Sequence, residues 1–181
     1  MKDSVNIINE KNMSSESEAL AYVGEVNVEE DSLKNKYLTF KVHDDEYGIE
    51  VRYVIEIIGI QKITQLPDMP NFIKGVINLR GRVIPLLDIR LRFKLDEIEY
   101  GNRTCIIVVA VGDAYFGLIV DTVSEVVDIM PGQIDPPPKS NLSTSNKYIQ
   151  GMGKFGDQVK IILNVNKILS DDELNSLASK N

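Results

Sequence analysis

Two aspartates are the side chains of this sequence best suited to acid–base chemistry, because Asp88 and Asp121 each end an apolar run. Two carboxylates that face one cleft can act as general acid and general base in a hydrolase. The chain contains an internal repeat, but neither aspartate is kept in the other copy: Asn164 stands at the position of Asp88, and Arg52 at that of Asp121. Because strand-end aspartates more often bond turn backbone, a carboxylate-dyad hydrolase is kept only as an alternative.

Other catalytic arrangements find little support in the sequence. The single histidine, His43, stands beside two aspartates in a predicted turn, and the single cysteine, Cys105, begins an apolar run. This leaves no Cys-His pair, no internal disulfide and no set of zinc ligands. Neither a Walker loop nor a GxGxxG motif occurs. We therefore expect no enzyme activity, no cofactor and no bound metal.

A loop with two arginines is the strongest local signal for binding. Residues 78–82 read Asn-Leu-Arg-Gly-Arg between two apolar runs. Gly81 permits a tight turn with positive φ, and the Asn78 side chain can bond the turn backbone. Arg80 is then presented on a rigid hairpin, where a guanidinium can bind a partner's carboxylate through two hydrogen bonds. The alternative is an ion pair within the chain, with Glu50, Glu56 or Asp88.

Composition limits the classes of function. The 181 residues are 43% hydrophobic and carry a formal charge of -7, so we expect a compact unit that does not bind nucleic acid. A small β-barrel that binds nucleic acid stays as an alternative, although such a module predicts basic, aromatic-rich strands and this chain has no tryptophan. No run approaches ~20 apolar residues and no signal peptide is evident, which predicts a cytoplasmic protein without membrane insertion.

The repeat itself predicts the architecture. Residues 47–58 recur as 116–127, and residues 73–89 recur as 149–165. The copies differ most at the arginine loop, where the second copy reads Lys-Phe-Gly-Asp-Gln at 154–158. A duplicated β unit of this kind predicts two similar subdomains in contact, with a boundary near 95–103. Whether each subdomain is contiguous, or a strand crosses to the other, is left open by the repeat.

Short runs of β-branched and aromatic residues separated by turn residues predict nine strands. They cover residues 37–42, 47–51, 75–79, 83–89, 104–111, 115–120, 126–129, 149–155 and 159–165. The segments beginning at Val54 and Val123 have the spacing of a single helical turn followed by strand. Residues 1–34 predict a flexible tail, and the capping box at 170–173 predicts a C-terminal helix over 170–181.

The run from 72 to 90 resembles the signature of the CheW-type chemotaxis coupling proteins and of the homologous regulatory domain of the chemotaxis histidine kinase. Residues 46–49, 54–57, 117–121, 123–126 and 148–151 extend the similarity, which spans residues 36–169. Two small departures are Arg82, where the family has a short or apolar residue, and a longer N-terminal tail.

The resemblance implies a mainly β fold of two five-stranded SH3-like barrels packed together, with short helices. It also implies a non-enzymatic adaptor, held at receptor arrays through protein contacts, between chemoreceptor cytoplasmic tips and the kinase regulatory domain. Glu56 and Arg80 would then supply charged contacts, valines an apolar docking surface, and glycines a close backbone approach. The implied protein-binding residues are Val54, Glu56, Gly75, Asn78, Leu79, Arg80, Gly81, Val123 and Val126.

Overall fold

A computed structural model describes residues 31–139 and 147–170, and eleven strands and two short helices lie wholly within them. The strands are β1 Lys36–Val42, β2 Asp45–Glu50, β3 Val54–Gly59, β4 Ile73–Leu79, β5 Arg82–Asp88, β6 Cys105–Val111, β7 Ala114–Val120, β8 Thr122–Asp128, β9 Ile134–Asp135, β10 Ile149–Phe155 and β11 Gln158–Leu163. The helices are α1 Ile89–Arg92 and α2 Val165–Leu169, and single 3-10 turns cover Val51–Tyr53 and Pro131–Gln133.

The chain divides into residues 1–34 and residues 35–181, and the strands belong to the second unit. The predicted flexible tail lies outside the described residues except for 31–34, where 31–33 are helical. The predicted C-terminal helix lies outside them from residue 171 onward.

All nine predicted strands overlap observed ones, but the segments beginning at Val54 and Val123 differ from expectation. The 3-10 turn of the first copy precedes Val54, and residues 54–59 are strand throughout. In the second copy there is no helical turn, because β7 passes into β8 through Asp121 alone. The helical-turn prediction for Val123 is therefore wrong. A bulge after Val54 explains the misleading spacing in the first copy. It pairs Val54 and Ile57, three residues apart, with Val109 and Ile107, which lie on one face of β6, so a strand shows the spacing of a helical turn.

The strands form a six-stranded sheet of order β8-β1-β2-β11-β10-β9 and a five-stranded sheet of order β3-β6-β7-β5-β4. The predicted mainly β fold of two packed subdomains is confirmed. The structure corrects the detail of the two five-stranded SH3-like barrels, because one sheet has six strands and neither sheet closes through a ladder between its edge strands. Closure is limited to the two-residue β9 on β10 and to a single bridge between Thr64 and Val76. Turn residues at 131–133 and irregular chain at 60–63 interrupt the connecting strands.

Each sheet combines strands of both sequence copies. The β1–β2 hairpin of the first copy joins β8–β11, and the β6–β7 hairpin of the second copy joins β3–β5. Residues 95–103 therefore separate the copies in sequence but not the two sheets. Chain reach explains this exchange. If each copy formed its own sheet, β3 would take the place of β8 beside β1 and would run parallel to β2. The chain would then have to return along the length of β2, about 20 Å, whereas the connection 51–53 reaches only ~14 Å.

Alternation along the strands sorts apolar side chains into three clusters. On β7, Phe116, Leu118 and Val120 enter a central cluster that contains residues of both sheets, whereas Ile119 enters a cluster inside the five-stranded sheet. A smaller cluster, including Ile162 of β11, lies inside the six-stranded sheet. The central cluster therefore holds the two subdomains together, and the edge strands β3 and β8 present its outer margin.

Candidate protein-binding surface

The arginine loop is a tight hairpin turn between β4 and β5. Leu79 and Arg82 are the last paired residues, which leaves Arg80 and Gly81 as a two-residue loop with φ of 51° and 82°. The backbone N–H of Gly81 donates to the Asn78 side-chain oxygen at 2.8 Å. The positive φ at Gly81 and the turn bond of Asn78 are therefore confirmed. Arg80 also has a positive φ, which is unfavourable for a residue with a Cβ.

Arg80 forms an ion pair with Glu56 through two parallel hydrogen bonds. Nη2 donates to Oε2 at 2.8 Å, and Nη1 donates to Oε1. Of the three carboxylates considered from the sequence, Glu56 is the partner. The hydrogen bond from Arg80 is the main cause that lowers the pKa of the Glu56 carboxyl. The Arg80 side chain is still 73% exposed, so the pair lies at the surface.

This ion pair connects the two edges of the five-stranded sheet. Glu56 lies on edge strand β3 opposite Val108, a member of the interior cluster, and Arg80 follows the other edge strand, β4. Leu79 is half-buried against the same interior cluster. We call the group formed by Glu56, Leu79 and Arg80 the Arg80 end of the five-stranded sheet. Its ion pair joins side chains that lie 24 residues apart in the sequence.

Val54 and Val123 lie on the two edge strands, one in each sheet, and both pack against the central cluster. Val126, farther along β8, is paired with Leu38 of that cluster, yet its side chain is exposed. Its repeat equivalent, Ile57 on β3, is exposed in the same way. An apolar strip therefore runs from the central cluster to the surface along both edge strands. Ile57 was missed, although its equivalence to Val126 was a usable signal.

Gly75 is buried on β4 and does not share the exposed surface of Arg80. Its φ is 133°, and a Cβ built there would lie 2.1 Å from the carbonyl oxygen of Thr64. The bridge between Thr64 and Val76 brings this backbone across the strand. The close approach at Gly75 is thus made by the chain itself. The structure brings Glu56 and the turn residues together and places Val123 and Val126 on the other sheet.

Known proteins are similar to this chain in sequence. The family model described as "CheW-like domain" matches residues 36–173. The chain belongs to the CheW-like family. Two relatives named chemotaxis protein CheW are similar: that of Klebsiella aerogenes is 34% identical over 144 residues, covering 80% of this chain and 87% of the relative. That of Helicobacter pylori is 36% identical over 137 residues, covering 76% and 82%. The family resemblance noted from the sequence is confirmed.

A solved structure gives the same result for the fold. The crystal structure of the scaffolding protein TtCheW from Thermoanaerobacter tengcongensis superposes with a TM-score of 0.71 at 32% identity. The match covers 77% of this chain and 94% of that one. Neither alternative function, the nucleic-acid module or the hydrolase, is supported by these relatives.

The two aspartates of the CheW-like domain have separate structural roles. Asp88 is buried, caps α1 by accepting from the Leu91 N–H at 3.3 Å, and accepts from the Tyr100 hydroxyl at 2.7 Å. Its repeat equivalent, Asn164, caps α2 in the same way. Asp121 accepts two hydrogen bonds of 2.7 Å from Arg90. Helix capping explains why the repeat keeps Asp at one position and Asn at the other.

The remaining candidates for chemistry occupy ordinary positions. His43 lies in the β1–β2 turn with φ of 58°, and its Nδ1 is 3.1 Å from the Asp44 carboxylate. Cys105 is a free thiol, partly buried against the central cluster. In residues 31–139 and 147–170, no group of three His, Cys, Asp or Glu side chains is placed to hold a metal. No helix of the described part is long and apolar enough to cross a membrane.

A buried ion pair inside the six-stranded sheet was missed by sequence reasoning. Lys160 of β11 is 1% exposed, and its ammonium lies 2.6 Å from the Glu46 carboxylate and 3.0 Å from the Gln158 side-chain oxygen. Burial raises the pKa of the Glu46 carboxyl, but hydrogen bonding and attraction to Lys160 outweigh it, so the pKa is lowered. The repeat offered a signal, because the equivalents of Glu46 and Lys160 are Tyr115 and Ile84.

Proposed function

We propose that this CheW-like protein is a non-enzymatic chemotaxis adaptor. It couples the cytoplasmic tips of chemoreceptors to the regulatory domain of the chemotaxis histidine kinase and so controls kinase activity. The family match over residues 36–173 is the observation that carries this proposal. The names of the relatives, chemotaxis proteins and a scaffolding protein, support it. Its place is the cytoplasm, at receptor arrays on the inner face of the membrane.

The apolar strip on the two edge strands is the proposed receptor site. Chemoreceptor tips are helical, and a helix that lies in a groove is held by apolar anchors repeated along one face. Val54 and Val123 supply anchors at the margin of the central cluster, and Ile57 and Val126 extend them outward. Because the repeat places these side chains on both sheets, a helix between the subdomains would touch both strands.

The Arg80 end of the five-stranded sheet is the proposed kinase site. An exposed ion pair contributes little to stability, so the Arg80 guanidinium can exchange Glu56 for a carboxylate of the kinase at small cost. Asn78 and Gly81 hold the turn that presents it. Gly75 contributes indirectly. It leaves room for the Thr64 backbone to bridge to β4, and this bridge supports the strand that leads to the turn.

Both interactions are tested together by co-sedimentation of the protein with a chemoreceptor cytoplasmic fragment and the kinase. The adaptor proposal requires that the kinase sediments with the receptor fragment only when this protein is present. Sedimentation of the kinase at the same level without it would contradict the proposal.

Replacing Arg80 with glycine is expected to weaken binding to the kinase regulatory domain about tenfold or more, since a charge-assisted contact is lost. The melting temperature should not fall, because glycine accepts the positive φ of 51° that arginine tolerates poorly. Titration calorimetry and a thermal melt would measure the two effects. Arg52→Ala is the matched control, since Arg52 is also exposed and paired, with Glu50. Unchanged affinity of the Arg80 variant would remove this turn from the kinase site.

Replacing Val126 with lysine is expected to abolish co-sedimentation with the receptor fragment while leaving kinase binding intact. A lysine there would put a charge into the apolar strip, and the charge loses its hydration when a helix docks. Val159→Lys is the control, because Val159 is 54% exposed, Val126 is 53% exposed, and both belong to the six-stranded sheet. Equal receptor binding by the two variants would show that the strip is not the receptor site.

A further inference from the structure

The six-stranded sheet has an end equivalent to the Arg80 end of the other sheet. We call the group formed by Glu125, Phe155 and Gly156 the Gly156 end, because these residues repeat Glu56, Leu79 and Arg80. Backbone pairing supports the equivalence. Gly48 pairs with Ile162 between β2 and β11, and their repeat equivalents Gly117 and Leu86 pair between β7 and β5. The same bulge interrupts both edge strands, between 54 and 56 on β3 and between 123 and 126 on β8.

The two ends differ in two side chains, because Phe155 stands for Leu79 and Gly156 stands for Arg80. Gly156 adopts a φ of 58°, close to the 51° of Arg80, but the second turn residue differs, since φ is 82° at Gly81 and is not positive at Asp157. A Cβ built on Gly156 would meet nothing within 4 Å, so the space that a longer side chain would enter is open. At the Arg80 end this space is crossed by a guanidinium that binds Glu56.

Glu125 consequently lacks the cation that its equivalent has. The Glu125 side chain is exposed, and among residues 31–139 and 147–170 no lysine, arginine or histidine forms an ion pair with it. Phe155 is 36% exposed, whereas its equivalent Leu79 is half-buried below the Arg80 turn. The Gly156 end therefore shows an aromatic ring and a carboxylate at positions that the other end covers.

The cations near this end, Lys41 and Lys160, both face Glu46. The Lys160 ammonium lies 5.8 Å from the centre of the Phe155 ring but is neutralised by Glu46 at 2.6 Å. The Ser124 side chain, next to Glu125 on β8, also hydrogen-bonds the Glu46 carboxylate. The charge of Glu125 is therefore not balanced from within the Gly156 end.

We infer that the Gly156 end binds an arginine side chain that a protein partner presents on a tight turn. The guanidinium takes the place in trans that Arg80 takes in cis, with two hydrogen bonds to Glu125 and its flat face against Phe155. Arginine fits better than lysine, because its planar fork matches a carboxylate and its face stacks on a ring. The inference rests on the proposed adaptor function and adds a second partner contact, on the other subdomain.

An arginine introduced into the chain itself, at position 156, tests the geometry of the site. In Gly156→Arg the new guanidinium should reach Glu125 and lower the pKa of its carboxyl, as Arg80 does for Glu56. A carboxyl-detected NMR titration measures the pKa, and Gly156→Gln, which has a long side chain without charge, should leave it unchanged. If the pKa of Glu125 is the same in both variants, the two ends are not equivalent and the inference is wrong.

Binding to the kinase regulatory domain and to the receptor fragment, measured separately, tests the occupant. Glu125→Gln should weaken one of the two complexes about tenfold. Gly156→Arg should weaken that same complex, since its own arginine occupies the site, and Gly156→Gln should weaken it less. If Glu125→Gln weakens a complex that Gly156→Arg leaves unchanged, the occupant is not an arginine. Wild-type protein that binds neither partner would refute the adaptor function itself, whereas wild-type binding that none of these variants changes would refute only this inference.

Discussion

Replacing Gly75 with alanine is expected to lower the free energy of unfolding by about 3 kcal/mol or more, because two penalties combine. A φ of 133° is one that residues with a Cβ rarely adopt, and the added Cβ would lie 2.1 Å from the Thr64 carbonyl oxygen. That oxygen accepts the Val76 N–H at 2.9 Å, so it cannot withdraw without breaking the bridge to β4. Chemical denaturation followed by circular dichroism would measure the loss.

Two further glycines provide a graded comparison. Gly151 is the repeat equivalent of Gly75, and its built Cβ would meet an Ile134 methyl group at 2.5 Å and the Asp135 carbonyl oxygen at 2.8 Å, without a positive φ. Gly59 ends β3, and its built Cβ would meet nothing within 4 Å. The expected order of destabilisation by alanine is therefore Gly75, then Gly151, then Gly59. A Gly75 variant as stable as the Gly59 variant would contradict the described path of the Thr64 backbone.

Replacing Glu46 with glutamine is expected to cost about 3 kcal/mol, the scale found when one partner of a buried ion pair is removed. Lys160 is 1% exposed and would lose its carboxylate partner, while the neutral Gln158 side-chain oxygen would remain 3.0 Å away. Glu125→Gln is the matched control, because Glu125 is exposed in the same subdomain and its loss should change the free energy of unfolding by less than ~0.5 kcal/mol. Equal effects of the two changes would show that the buried pair contributes nothing.

The other half of the molecule suggests how to remove the pair without damage. The double change Glu46→Tyr with Lys160→Ile copies Tyr115 and Ile84. Its free energy of unfolding should be within about 1 kcal/mol of the wild-type value, because apolar replacement of a buried ion pair is often neutral.

The dependence of stability on acid pH provides a second check of the ion pair. The pKa of Glu46 is lowered in the folded protein, so its contribution is present above the unfolded value of 4.5 and is lost as the pH falls through the folded value. The difference in the free energy of unfolding between wild type and Glu46→Gln should therefore become smaller below about pH 4.5.

Most strands and turns were predictable because their signals are local. Alternating or continuous β-branched runs predicted nine of the strands, and Gly112 and Gly156 lie in hairpin turns with φ of 58° as turn residues do. The Arg80 turn was predictable for the same reason, since Asn78 and Gly81 act within three residues of each other. The two-residue β9 lacked such a run, and a bulge hid β3.

The candidate site was only partly predictable. The sequence marked Glu56 and Arg80, but three carboxylates were open as partners of Arg80, and the choice depends on two sheet edges that approach each other in space. Lys160 was hidden in a different way. A lysine inside an apolar strand predicts an exposed side chain unless its carboxylate is known, and Glu46 comes from a strand more than a hundred residues away.

The sequence by itself determined the local backbone, the duplication and the CheW-like family, because these depend on residue types within short windows or on direct comparison of residues. Only the tertiary structure decided that hairpins exchange between the copies, that Arg80 binds Glu56, and that Glu125 has no such partner in the described part of the chain. The physical reason is that strand pairing joins distant segments and must satisfy chain reach. The connection 51–53 is too short to carry β3 back along β2 to the position beside β1 that β8 occupies, so the repeated units complete each other's sheets.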